Sequence, residues 1–210
     1  FAARAGLVRA MFLAGILMAL TNLLFSVLAW SGKSEPMFAF AVIMAEMGRV
    51  AFPGPFLECV TAIRALSECS HASTQEWLTK ASQGDTLVSF ALAEDLHDAD
   101  PGEVRVVFED GRVRGTKVFV PFGEHAQALL VSTAQGLALV PRPGTGWNST
   151  PLETFDHAQR FVSIEFDDEG TLVAEGEAAA AVLETARRLG ALGASATLFG
   201  LMERSVENSV

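Results

Sequence analysis

The apolar residues of this chain change their spacing twice, near Gly84 and again near Glu175, which restricts the chain to a helix–sheet–helix order. Over residues 35–47, Phe38, Ala41, Val42, Met44 and Ala45 recur at the spacing of one broad helical face. "FPGP" at 52–55 must end that helix, because proline cannot continue the hydrogen-bond ladder. Residues 56–66 predict a second helix. Ser73 followed by Glu76 in "STQEWL" reads as a capping box that opens a short third one, and "SQGD" at 82–85 closes it. Then "TLVSFALAE" (86–94) predicts a strand, followed by the polar loop "HDADPGE" (97–103). "VRVVFED" and "RVRGTKVFV" flank Asp110-Gly111, the strongest short hairpin signal. "ALLVSTA" and "GLALVPR" flank a second turn at Gln135-Gly136, and "RFVSIEFDD" runs to "EGTLV" through a third. Six or seven short strands within residues 85–174 predict a compact antiparallel sandwich or barrel. From Glu175 onward Ala, Leu, Glu and Arg dominate a long helix. Gly190, Gly193 and Ala196 make one of its sides small enough for close helix packing. The expected fold class is α+β with several domains. Residues 1–84 form an N-terminal helical domain, 85–174 a middle antiparallel β-sandwich or barrel, and 175–210 the first helix of a C-terminal helical domain whose remainder is missing.

"MFLAGILMALTNLLFSVLAW" (11–30) carries no charge over twenty residues, flanked by Arg4, Arg9 and Lys33. As one helix it would be about 30 Å long, the thickness of a bilayer core. Thr21 and Asn22 sit at its midpoint, where lipid offers an amide no partner. The balance therefore favours two short buried helices over a membrane span. The chain has 210 residues, half of them apolar, and a formal charge of −10. An acidic chain offers no broad basic surface to phosphates, so nucleic acid is not an expected partner. Cys59 and Cys69 show no metal spacing and read as buried free thiols of a reducing, cytoplasmic compartment. No metal site is expected. His71, His97, His125 and His157 belong to no HExxH motif, and neither a GxSxG elbow nor a phosphate-cradling glycine loop is present. Glu109-Asp110 and Asp167-Asp168 flank turns, where acidic pairs ordinarily serve turn chemistry.

Five strings in order resemble the acyl-CoA dehydrogenase family, over roughly residues 35–210. "MAEMGRVAFPGPFLECV" (44–60) is similar to its Gly-Arg pair and Pro-rich break. "EWLTKASQGDTLVSFALAE" (76–94) is similar to its Trp-Leu segment and first β-domain strand ending in Glu. "DGRVRGTKVFVPFGEHAQALLVST" (110–133) has its Gly-x-Lys with an aromatic two positions on. "FDHAQRFVSIEFDD" (155–168) resembles its Asp-x-x-x-Arg strand entry, and "RRLGALGASATLFGLMERSVENSV" the first helix of its C-terminal domain. The resemblance implies FAD, an acyl-CoA substrate, and introduction of a 2,3 double bond into the thioester. It places the flavin against two segments, Phe90 to Glu94 and Lys117 to Pro121, so Leu92, Ala93, Phe119 and Val120 are the implied cofactor-binding positions. Phe119 stands at the family's usual Trp. Ala93 and Pro121 stand where the family carries a hydroxyl that hydrogen-bonds the flavin. Each lost hydrogen bond weakens cofactor holding by about 1 kcal/mol.

The family's catalytic Glu and its Arg-x-Gln-Phe-Gly flavin contact lie in the C-terminal domain. No residue here is assigned as the general base, and neither Glu94 nor Glu124 substitutes for it. The sequence stops before both family features, so either a C-terminal part exists beyond it or this is a naturally short subunit; it also opens on Phe1 rather than Met, as a processed chain or part of a longer product would. Eroded flavin positions suit the second option: a non-catalytic partner in a bacterial heteromeric dehydrogenase, as in steroid side-chain degradation, with FAD held mainly by a homologous subunit. The competing reading is a β-barrel binding module tethered to a membrane by residues 11–30.

Overall fold

A computed structural model of the chain describes residues 35–95, 104–155 and 159–209. The apolar stretch 11–30 and the polar loop 97–103 lie outside the described residues. Residues 51–194 form one compact unit, and the described residues before 51 and after 194 form another.

In the second of these units, α1 (Glu35–Arg49) packs against the last turns of α4 (Gly176–Glu207). Ala41, Met44 and Gly48 are its buried stripe. Val42, expected on that face, is 44% exposed. The contact is narrower than expected because the backbones themselves meet: a methyl group added at Gly48 would overlap the Thr197 carbonyl, and one at Gly200 the Ala45 carbonyl. Such a seam admits only one thin stripe of α1. Arg49 reinforces it, bonding Glu203 at 2.8 Å and Glu207 at 3.0 Å.

The larger unit has three layers. Helices α2 (Phe56–Glu68) and α3 (Ala72–Gln83) precede eight strands: β1 (Val88–Ala91), β2 (Val107–Glu109), β3 (Arg112–Pro121), β4 (Ala128–Thr133), β5 (Gly136–Pro141), β6 (Asn148–Leu152), β7 (Phe161–Glu169) and β8 (Thr171–Glu175). Two four-stranded sheets result, in the orders β1-β4-β5-β8 and β2-β3-β7-β6. The first sheet is the middle layer, and both its faces are covered. Leu130, Leu137 and Leu139 face a core shared with Leu66 and Ala65 of α2 and Val182 of α4. Leu129, Val131, Ala138 and Val140 face the other sheet, meeting Val113, Val120, Val162, Ile164 and Phe166. Alternate side chains of β4 thus enter different cores, and every residue of that strand is buried.

Several local expectations change. The cap of α3 is His71, whose Nδ1 accepts from the Ser73 N–H at 3.2 Å, so the helix opens ahead of the expected Ser73 box. Glu76 instead pairs with Lys80. Gly84, at φ 79°, closes the helix in the left-handed conformation. The first strand is only Val88–Ala91, and it pairs parallel with β4, an exception to the antiparallel pattern. The turn between β4 and β5 is Ala134-Gln135, one residue earlier than expected, with Thr133 opposite Gly136. The third turn joins no hairpin, because Gly170 carries the chain from one sheet to the other. The hairpin at Asp110-Gly111 is as expected, with φ 51° and 74° at its two central residues. Cys59 and Cys69 are free, and burial pushes both thiols up.

Candidate functional site

β1 ends at Ala91, and the chain continues beside β3 without joining it as a regular strand. The Val118 N–H donates to the Ala93 carbonyl at 2.8 Å, so the segments 92–94 and 117–119 lie side by side. β3 pairs with β7 up to Lys117↔Ile164 and resumes at Val120↔Val162. Val118 and Phe119 form a bulge between these pairs, with Phe119 in the left-handed region at φ 51°. The bulge shifts the alternation of the strand. Val113 and Lys117 point inward before it and Val120 after it, while Phe119 is turned outward.

The four residues implied by the resemblance are placed differently. Leu92 and Phe119 are each 39% exposed, Ala93 is half-buried, and Val120 is fully buried between the sheets. Only the backbone of Val120 could face a ligand. The Phe119 ring meets Phe161 edge-on, with centroids 6.0 Å apart. Ser89 Oγ donates to the Pro121 carbonyl at 2.7 Å, tying β1 to the end of β3.

Beneath this edge lies a residue that the sequence reading did not assign to the site. The Lys117 side chain is fully buried, and its Nζ donates to the Leu92 carbonyl at 3.0 Å, Glu94 Oε1 at 2.7 Å and Ser132 Oγ at 2.8 Å. All three of its donors are used. Burial lowers the Lys117 pKa, with Glu94 opposing the shift. Glu94 also accepts from the Arg105 N–H at 2.8 Å and the Val106 N–H at 3.1 Å. Burial alone would raise its pKa, but these bonds and Lys117 hold it below the usual carboxylate range. The available signal was parity: Lys117 shares the inward side of β3 with Val113, an unusual place for an ammonium.

The chemistry of the edge is narrow. Leu92 and Phe119 offer apolar surface to a planar ring. Ala93 and Pro121 offer no side-chain donor, and the Val118 N–H is already taken. These residues do not fit a chain that holds a flavin by itself. Glu94 is committed to Lys117 and two backbone amides, which leaves it unsuited to act as a base. Among the described residues, no group of acidic, His or Cys side chains could hold a metal.

Comparison with known proteins supports the architecture. The ChsE4-ChsE5 complex from Mycobacterium tuberculosis matches with a TM-score of 0.64 at 22% identity, covering 81% of this chain and 48% of that one. A variant of the Tcur3481-Tcur3483 steroid ACAD matches at 0.62 and 27% identity, over 75% and 45%. Butyryl-CoA dehydrogenase from Megasphaera elsdenii matches at 0.63 and 17%, over 81% and 50%. The chain thus spans about half the length of the structures it matches. No family model and no curated protein matches the sequence. An N-terminal helical region, a middle two-sheet domain and a following helix are the arrangement of those enzymes, and the described chain has the acyl-CoA dehydrogenase fold.

Proposed function

We propose that this chain is a subunit of a flavin-dependent acyl-CoA dehydrogenase-like enzyme that introduces a 2,3 double bond into an acyl-CoA thioester. Within that enzyme it is the non-catalytic partner of a homologous subunit, and that subunit holds most of the FAD. The observation that carries this reading is the paired edge of residues 92–94 and 117–119. It keeps an outward aromatic, Phe119, yet has no hydroxyl at Ala93 or Pro121. The edge could complete one wall of a flavin site without being able to hold the ring alone.

Both paired-name neighbours favour an assembly of unlike subunits, and the one described as a steroid ACAD favours a steroid side-chain thioester as substrate class. The proposed domain limits stay near residues 84 and 174, and the proposed compartment is the cytoplasm. Among the described residues no helix is long and apolar enough to cross a membrane; residues 11–30, on which the tethered-module reading rests, lie outside them. The experiment is to purify the chain with its natural partner and supply acyl-CoA thioesters with an artificial electron acceptor. Formation of a 2,3-enoyl-CoA is the expected result. A stable complex that oxidises no acyl-CoA contradicts the proposal.

A further inference from the structure

We infer that Lys117 is a positioning residue that fixes segments 92–94 and 118–119 as one rigid edge. A buried ion pair adds little stability over well-packed apolar side chains. What Lys117 adds here is location. Its ammonium bonds a backbone carbonyl at Leu92, a side chain at Glu94 and a hydroxyl on β4 at Ser132. The next residue, Val118, donates to Ala93, which lies between Leu92 and Glu94. Two adjacent residues of β3 therefore grip three consecutive residues of the other segment, one from inside and one along the backbone. Glu94 extends the grip to Arg105 and Val106 through their amides.

The bulge needs such a grip. Val118 and Phe119 have no partners on β7, and Phe119 sits in a backbone region that a bulky residue rarely adopts. A strained residue persists only where its surroundings over-determine it. Phe119 is 39% exposed, so burial of its own ring is only part of that constraint. The anchored segment 92–94 on one side and Ser163 Oγ on the Lys117 carbonyl at 3.4 Å on the other supply the rest.

Site-resolved amide hydrogen exchange on the purified full chain tests this. In Lys117→Met, the amides of Val118, Arg105 and Val106 should exchange roughly 10-fold faster, after normalisation to Leu130 and Leu139 in the central strands. Ser132→Ala removes one of three acceptors and should give roughly a 3-fold rise at the same amides. It decides the matter if Lys117→Met does not fold. Val173→Ala, in the other core, should raise exchange throughout the unit without favouring the edge. Acceleration spread evenly over the unit in the Lys117 and Ser132 variants would mean ordinary destabilisation and overturn the inference. That this edge meets a flavin rests on the function proposed above. A partner complex without flavin would contradict that function and leave the exchange result standing.

Discussion

Glu94 and Lys117 show what one half-buried carboxylate beside a buried ammonium can do at the residue scale. The folded Glu94 pKa lies below its unfolded value, through the bonds from Lys117, Arg105 and Val106. Its stabilisation is therefore complete above the unfolded pKa of about 4.3 and is lost as pH falls through the lower folded value. Glu94→Gln keeps the shape but loses the charge, and its amide group turns one donor toward other donors. We expect a loss of about 3 kcal/mol at neutral pH, together with a flatter decline in stability on acidification, measured by denaturant unfolding across the acid range. An acid decline equal to the parent's would remove Glu94 from this account. Phe119 allows the proposed function to be tested separately from stability. Phe119→Gly relieves a left-handed backbone worth about 1 kcal/mol while losing an edge contact of similar size. Its melting temperature should stay close to the parent's while flavin retention in the partner complex falls. Unchanged flavin retention would exclude Phe119 from the site.

At the scale of elements, glycine has opposite consequences at two places in α4. Alanine in a helix interior normally gains about 1 kcal/mol over glycine. At Gly190 the nearest atom to an added methyl group is Thr61 Cγ2 at 3.9 Å, so Gly190→Ala should stabilise by up to about 1 kcal/mol. At Gly200 the added group would overlap the Ala45 carbonyl, so the helices must part. Gly200→Ala should destabilise by about 1–3 kcal/mol. Thermal unfolding of both variants checks the signs, and two changes of the same sign would contradict the close approach of α1 and α4. Elements were legible where local chemistry alone decides them. Asp110-Gly111 needs two positive φ values and has them. The β7 to β8 connection misled because its sequence resembles a hairpin while β7 pairs with β3 and β6 in one sheet and β8 with β5 in the other. The bulge at Val118-Phe119 left no trace, since neither residue is a glycine and the distortion depends on contacts with a segment about 25 residues earlier.

At the scale of the whole molecule, the helix–sheet–helix order was readable because periodicity changes cleanly at Gly84 and Glu175. The three-layer core was less so, because a strand buried on both faces reads the same whichever layers cover it. The resemblance singled out segments 90–94 and 117–121, but their pairing through Val118 and Ala93 and the contacts of Lys117 emerged only in three dimensions, strand parity being the one sequence signal for Lys117. Under the proposed function, this chain would contribute an apolar wall, Leu92 and Phe119, to a flavin site. The most direct test is the flavin content of the purified chain, measured by visible absorbance, alone and in complex with its homologous partner. The expected result is a colourless chain alone and a yellow complex whose flavin bleaches on addition of acyl-CoA. Stoichiometric flavin on the chain alone, or a partner complex without flavin, would contradict it.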